Sequence, residues 1–307
     1  MNQAGESIPS FWIPDESTPF AHAVLVTSSE PNKDYLHNLA SAPSQPPEFS
    51  LIGFQNKYEI HPKWLGSLEK LVHYDSVLVL DDSGSMNLPA DPDVNYTFSR
   101  WEELKRTVQI IVEAHELIGV PMDIYFLNRG IYRGISNWSQ ISHTFSSPPS
   151  GFTNIVNILN RVYTDHVSSD MQRNLTVHIL TDGHPTDFYG NENIMQLTNW
   201  LTNRWLIDRT FFSIILCTDD EEVVSSYRYL EYNPSSWNRG VPGVDVTEDY
   251  RGELRDVQCA RGSRWYRFTF GDYVVKTLVG AIDPTIHLID LPDGCSFFNG
   301  LKYCLGF

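Results

Sequence analysis

Apolar runs alternate with amphipathic stretches along the chain from about residue 51 onward. The run at residues 76–80, SVLVL, is too apolar for a half-exposed strand and predicts a central parallel strand. Residues 99–119 instead repeat apolar side chains at helical spacing, and Ser99 with Glu102 forms a predicted capping box at their start. The pattern therefore predicts a buried strand followed by a long helix.

The same alternation continues through the rest of the chain. MDIYFLN and IYRGIS predict two strands joined by a turn, and LTVHIL and FFSIIL predict two further strands separated by a helix. Near the end, WYRFTF at residues 265–270 predicts a strand and YVVKTLVGAI a closing helix, while residues 230–262 are long for a connection and are interpreted as a docking loop. This order predicts a doubly wound, Rossmann-like α/β fold: a mostly parallel central sheet with helices on both faces.

Composition divides the chain into three parts. Residues 1–50 are rich in Ser, Pro, Asn and Glu and predict an extended or partly disordered N-terminal arm. Residues 51–290 carry the strand and helix patterns and form the predicted folded domain. Residues 291–307 are apolar and aromatic, and we expect this C-terminal tail to pack on the domain.

Charge and cysteine usage narrow the range of partners. A formal charge of -16 repels nucleic-acid phosphate and anionic lipid surfaces, so we expect neither as a partner. Nothing resembles a secretory signal, and about eighteen uninterrupted apolar residues occur nowhere, so we expect no membrane insertion. Four cysteines in so large a chain do not indicate a disulfide scaffold, which favours a reducing, cytoplasmic location.

Oxygen-bearing side chains follow two of the predicted strands. Asp81, Ser83 and Ser85 come directly after the strand at residues 76–80, and Asp182 follows LTVHIL. Thr153 lies between them in the loop PPSGFTNI. Because ligands bind at the carboxyl ends of parallel strands, we expect these five side chains to share one edge of the sheet. Carboxylates and hydroxyls without His or Cys suit Mg²⁺ or Mn²⁺, or less tightly Ca²⁺, rather than zinc.

These motifs resemble the von Willebrand factor A (vWA) family and its metal-ion-dependent adhesion site. The resemblance rests on DDSGSM at 81–86, GFT at 151–153 and LTDGHPTD at 180–187. RWEE near Trp101, followed by DIYFLN, is also similar to intracellular vWA proteins of eukaryotic microbes. The similarity covers roughly residues 70–285, nearly all of the predicted domain.

The resemblance implies a role for each residue of the motif. Ser83, Ser85 and Thr153 would bind the ion through hydroxyls, while Asp81 and Asp182 would lie at or just beyond the ligands and act partly through water. In the family, a partner protein fills an open position on the ion with an Asp or Glu side chain. The implied function is therefore an adaptor or scaffold rather than an enzyme. The middle loop departs from the usual Gly-Gly-Thr or Gly-x-Thr pattern by placing a large Phe152 before the threonine, where it would partly cover the ion or contact the partner.

Other interpretations of the five residues stay open at this point. The loops could be held by caps and turns without any ion. A Mg²⁺-dependent hydrolase also places Asp after a first strand, but Ser83 stands where a haloacid-dehalogenase-type enzyme needs a second acid, and no base or P-loop accompanies the motif. A structural module with an unused metal site would bind through the arm, through the C-terminal tail or through residues 230–262.

Neighbouring polar residues have structural interpretations. Asp82 is expected to be a surface or loop-capping acid, and His184 with Asp187 is expected to form a turn. His115 and His178 fall within a predicted helix and a predicted strand, so we expect both to be packed in the core rather than bound to a metal.

Overall fold

The computed structural model describes residues 50–90, 98–187, 189–231 and 240–290. The predicted N-terminal arm, apart from Ser50, and the predicted C-terminal tail lie outside the described residues. Both stay predictions.

The described residues form a six-stranded sheet. Its strands are β1 (Tyr74–Leu80), β2 (Met122–Phe126), β3 (Gly130–Ile135), β4 (Asn174–Thr181), β5 (Thr210–Leu216) and β6 (Val244–Thr247). They lie in the order β3-β2-β1-β4-β5-β6, and every neighbouring pair is parallel except the hairpin of β2 and β3. The predicted mostly parallel α/β sheet is confirmed.

Helices connect the strands. The α-helices are α1 (Leu51–Tyr58), α2 (Pro62–Leu65), α3 (Arg100–Ile118), α4 (Ile155–His166), α5 (Ile194–Thr202), α6 (Glu221–Arg228), α7 (Tyr250–Ala260), α8 (Phe270–Val279) and α9 (Pro284–His287). Short 3-10 helices occupy Gly66–His73, Gly84–Asn87, Trp138–Gln140, Ser142–Ser146 and Ile207–Arg209.

Two hydrophobic cores lie on opposite faces of the sheet. Leu78 and Leu80 of β1 belong to the core that also contains buried residues of α3 and α8. Val77 and Val79 belong to the other core, together with buried residues of α4, α5 and α6. Because successive strand residues point to opposite faces, this division places helices on both faces. The doubly wound arrangement follows from it.

The capping box at the start of α3 is confirmed. The backbone N–H of Glu102 donates to the Ser99 hydroxyl at 3.3 Å, and the backbone N–H of Ser99 donates to Glu102 Oε2 at 2.9 Å. The next residue, Arg100, donates its backbone N–H to the carbonyl of Leu88 at 2.9 Å. These bonds hold the first turn of α3 against the loop that follows β1.

Two predictions for the C-terminal half are wrong. Residues 265–269 form turns and irregular backbone that lead into α8 at Phe270, with Phe268 buried against the core and Trp265 85% exposed. The sixth strand is instead β6, whose four residues are all buried beside β5. Residues 230–262 are therefore not one long loop, since they contain β6 and α7; residues 232–239 lie outside the described part.

Two further features bear on the environment of the chain. Within the described ranges, none of the helices has both the length and the apolar content needed to cross a bilayer. Cys217 is buried with a free thiol, whereas Cys259 is disulfide-bonded. The cysteine count did not indicate this disulfide.

His115 and His178 are buried, as predicted. Burial lowers the pKa of His115 to about 4. Burial and the neighbouring His115 together lower the pKa of His178 to about 3. His178 lies in the central strand β4, where its Nδ1 is 3.2 Å from the carbonyl oxygen of Thr277 in α8. Both histidines are therefore neutral inside the fold at neutral pH.

We expect His178→Gln to reduce the acid sensitivity of the fold. The pKa of His178 in the folded state lies below the unfolded value near 6.5, so the unfolded chain binds the proton more readily. The stability that His178 contributes is complete above about pH 6.5 and is lost as the pH falls toward the folded pKa. Lowering the pH from 7 to 5 therefore reduces the free energy of unfolding by about 2 kcal/mol through this histidine. Urea unfolding of wild type and variant at both values should show the difference in stability narrowing by that amount, and a constant difference would contradict the assignment.

Candidate metal centre

Asp81 lies at the base of the candidate centre, directly after β1. Its backbone N–H donates to the carbonyl of Leu180 at 2.9 Å, which continues the pairing of β1 with β4. Its Oδ1 accepts from the backbone N–H of Ser83 at 2.9 Å, and its Oδ2 accepts from the Thr181 hydroxyl at 2.6 Å. The side chain therefore fixes the loop above it and ties that loop to β4.

Two serine hydroxyls continue from this loop toward β4. Ser83 Oγ lies 3.0 Å from Ser85 Oγ, and Ser85 Oγ donates to Asp182 Oδ1 at 2.8 Å. Ser83 and Asp182 are buried, and Ser85 is half-buried. The structure thus brings Asp81, Ser83, Ser85 and Asp182 together, although they come from two strands about a hundred residues apart.

Thr153 lies in a loop that backbone hydrogen bonds tie to the loops after β1 and β4. The residue is buried, and its carbonyl accepts from the backbone N–H of Thr186 at 2.8 Å, which connects the middle loop to the loop after β4. The middle loop also meets the first loop, because the N–H of Gly84 donates to the carbonyl of Gly151 at 3.2 Å. Among the described residues, no hydrogen bond joins the Thr153 hydroxyl to the other four predicted side chains.

Asp82 locks the first loop to the turn between β2 and β3. Its Oδ1 accepts from the backbone N–H of Asn128 at 2.8 Å and from the side-chain amide of Asn128 at 3.0 Å, while its Oδ2 pairs with Nε of Arg129 at 3.0 Å. The expected loop-capping role is present, but Asp82 is fully buried rather than on the surface. Asn128 and Arg129, the partners of Asp82, lie more than forty residues away in the sequence, so the residues around Asp82 do not indicate them.

The prediction of a turn at residues 184–187 is wrong: Thr186 forms an isolated antiparallel bridge with Glu192, and the turn begins at Asp187, whose carbonyl accepts from the backbone N–H of Gly190 at 3.1 Å. Oδ1 of Asp187 accepts from the backbone N–H groups of Tyr189 at 2.8 Å and Asn191 at 2.9 Å. His184 is engaged elsewhere, with its Nε2 3.0 Å from the hydroxyl of Ser226 in α6. Neither side chain is placed among the candidate ligands by these contacts.

Arg100 also contacts the candidate centre, and the sequence analysis did not identify it. Its Nη1 donates to Asp182 Oδ2 at 2.9 Å, opposite the oxygen that accepts from Ser85. The capping box at Ser99 could have signalled it, because it places the first side chain of α3 at the carboxyl edge of the sheet. Thr181 was missed as well, although its position directly before Asp182 in β4 makes it a neighbour of Asp81.

Burial and repulsion act on the carboxyl group of Asp81. Burial first, and then the negative charge of Asp182, raise the pKa of Asp81 to about 6, against the opposing hydrogen bonds from Ser83 and Thr181. A bound cation would favour the charged form of Asp81. The donor set consists of hydroxyl and carboxylate oxygens, so its chemistry fits Mg²⁺, Mn²⁺ or Ca²⁺.

A second group of titratable residues lies near β6. Candidate ligand atoms of Glu231, Asp245 and His287 are within 4.8 Å of one another. His287 Nδ1 lies 2.6 Å from Asp245 Oδ1, and Asp245 is completely buried. The sequence did not predict this group, because its members come from three separate elements with no shared motif.

Lys276 of α8 supplies the cation beside that group. Its ammonium is fully buried and lies 2.9 Å from Glu253 Oε1 and 3.1 Å from Asp290 Oδ2. Burial disfavours the charged ammonium, but the carboxylates of Asp290 and Glu253 outweigh this effect and hold the pKa of Lys276 well above its usual value. Lys276 therefore joins α7 to the end of the described chain by buried ion pairs.

No family model matches the chain, and no curated protein matches its sequence. The resemblance to the vWA family therefore stays a prediction from the motifs at residues 81–86, 151–153 and 180–187.

We expect Gly151→Ala to destabilise the loops of the centre. Gly151 has a φ of 114°, and a Cβ there would lie 2.3 Å from the side-chain oxygen of Asn128, which is held by Asp82. The free energy of unfolding should fall by about 1 to 3 kcal/mol in urea titrations. Gly84→Ala is the matched control, since a Cβ at Gly84 meets nothing within 4 Å. Equal effects of the two substitutions would contradict the packing described for Gly151.

We expect Lys276→Met to lower the free energy of unfolding by about 3 to 5 kcal/mol, because it leaves Glu253 and Asp290 buried without their cation. Lys57→Met is the control, because Lys57 is 52% exposed in its pair with Glu113 and should lose less than about 1 kcal/mol. Urea unfolding at pH 7 measures both. A loss at Lys276 as small as that at Lys57 would contradict the role of its buried ion pairs.

Proposed function

We propose that this protein is a metal-dependent protein-binding module of the vWA type, an adaptor or scaffold without catalytic activity. The observation that carries the proposal is the continuous line of oxygens from Ser83 through Ser85 to Asp182, with spacings of 3.0 and 2.8 Å. This line stands at the carboxyl edge of the sheet, where α/β folds of this kind bind ligands.

The residues divide into ligands and supports. Ser83, Ser85 and Thr153 would offer hydroxyl ligands to Mg²⁺, Mn²⁺ or Ca²⁺, and Asp182 would lie beside them. Asp81 supports the site from beneath, since it holds the backbone N–H of Ser83 and the hydroxyl of Thr181. The ion supplies a positive centre to which an oxygen from another molecule can bind.

The chemistry of the ligands favours an acidic partner. Hydroxyl ligands carry no charge, so the ion keeps positive charge and attracts a carboxylate from outside. Phe152, next to Thr153, is 59% exposed and offers an apolar contact beside that position. We therefore propose a protein partner that presents an Asp or Glu side chain.

The hydrolase alternative is less well supported by the contacts of Asp81. A nucleophilic carboxylate must be reached by the substrate, but Asp81 is only 1% exposed and lies beneath the serine loop that its Oδ1 holds. A structural module with an unused metal site stays the other alternative, and the calorimetric experiment below separates it from the proposal.

A cytoplasmic location stays a prediction from the sequence. The disulfide at Cys259 is of a kind that reducing compartments disfavour, so it argues against that location.

We expect the chelator-stripped protein to bind one Mn²⁺ or Mg²⁺ per chain in isothermal calorimetry. Ser83→Ala combined with Ser85→Ala removes two hydroxyl ligands and should weaken binding by more than about 100-fold. The matched control, Ser139→Ala combined with Ser225→Ala, removes two exposed hydroxyls elsewhere and should bind as wild type does. Circular dichroism checks that each variant is folded.

The outcomes separate the three functional classes. Binding lost only in the Ser83/Ser85 variant supports the proposed metal centre. A wild-type protein that takes up no ion at millimolar concentration contradicts it and leaves the structural module. Hydrolysis of a phosphate ester that depends on the same ion would contradict the adaptor assignment in favour of the enzyme.

A further inference from the structure

Arg100 places a permanent positive charge inside the candidate metal centre. Its guanidinium is 2.9 Å from Asp182 Oδ2, and the side chains of Arg100 and Asp182 are 14% and 0% exposed. The backbone bond to Leu88 and the capping box at Ser99 fix the start of the helix that carries it. The cation is therefore a built-in part of the centre.

The nearby charges can be counted. Asp82 is neutralised by its own partner, Arg129, at 3.0 Å. Two carboxylates, Asp81 and Asp182, then face the oxygen line, and Arg100 compensates one of them. Without Arg100, the two carboxylates would balance a divalent ion completely. With Arg100, a loaded centre keeps one unit of positive charge.

We propose that Arg100 competes with the divalent ion for Asp182, so that it weakens metal binding and reserves positive charge for the carboxylate of a partner. This inference rests on the proposed metal-dependent function. Like charges in a partly buried site repel strongly because little water screens them. The guanidinium therefore opposes the ion, and an external carboxylate relieves the repulsion. Metal and acidic partner consequently bind with positive cooperativity.

The guanidinium of Arg100 also has an N–H group that can form a new hydrogen bond. Nε of Arg100 is buried, and none of the described residues accepts a hydrogen bond from it. Arginine presents five N–H donors, so the side chain can change partners without losing its charge. Its environment should therefore change when an ion enters beside Asp182.

The first test is calorimetry of the full, chelator-stripped chain with Mn²⁺ alone. Arg100→Gln removes the competing charge and should bind Mn²⁺ at least about tenfold more tightly than wild type. Arg106→Gln is the matched control, because Arg106 is exposed on the same helix and stacks on Phe98 instead, 3.6 Å from the ring centre. Arg100→Lys keeps the charge and should stay close to wild type.

A second measurement uses the wild-type protein, so it does not depend on the folding of Arg100→Gln. The Nε–H nuclear magnetic resonance signal of Arg100, identified by its loss in Arg100→Lys, should shift during titration with Mg²⁺ at the midpoint seen in calorimetry. A signal that does not move while Mg²⁺ binds would overturn the role of Arg100.

The outcomes distinguish this inference from the proposed function. If wild type binds Mn²⁺ and Arg100→Gln binds it no more tightly, the role of Arg100 is overturned and the metal centre stands. If neither wild type nor Arg100→Gln binds Mn²⁺ at millimolar concentration, the metal centre itself fails, and the role of Arg100 fails with it. If wild type binds Mn²⁺ and Arg100→Gln, but not Arg106→Gln, binds it more tightly, the metal centre and the role of Arg100 are both supported.

Discussion

The strands β1 and β4 pair in parallel over seven positions, from Tyr74 opposite Asn174 to Leu80 opposite Leu180. This register brings the residue after β1, Asp81, beside the last residue of β4. A shift of one residue would turn every buried side chain of β1 to the opposite face and would separate the two acidic loops. The two apolar cores therefore determine where the oxygens of the candidate centre lie.

The loops at this edge bury three carboxylates, those of Asp81, Asp82 and Asp182. An unpaired buried charge would cost several kcal/mol, so each acid needs a partner. Asp81 accepts from a backbone N–H and a threonine hydroxyl, Asp82 has Asn128 and Arg129, and Asp182 has Ser85 and Arg100. The centre is thus held together by polar contacts that also aim its oxygens at one another. Arg129 and Arg100 compensate two of the three carboxylates, so a divalent ion would leave the group with one unit of positive charge, which is why the cation of Arg100 matters for metal affinity.

Local signals were sufficient for much of the fold. The run at residues 76–80, the capping box at Ser99 and the turn between β2 and β3 are visible in adjacent residues, and the structure contains all three. The edge strand β6 was missed because four residues carry too little pattern, whereas the aromatic alternation at residues 265–270 reflects packing on the core rather than pairing in the sheet.

Contacts between distant elements could not be predicted in the same way. The sequence predicted five side chains at one edge because parallel strands end together, and hydrogen bonds join four of them, Asp81, Ser83, Ser85 and Asp182. The capping box at Ser99 places Arg100 at the start of α3, but its pairing with Asp182 depends on tertiary packing that adjacent residues do not show.

The most direct test of the central idea is anomalous scattering from crystals of the full chain soaked in Mn²⁺. The account predicts one strong anomalous peak bounded by the side chains of Ser83, Ser85 and Asp182. A peak at Glu231, Asp245 and His287 instead, or no peak at a concentration that saturates binding in solution, would contradict the assignment of the metal centre.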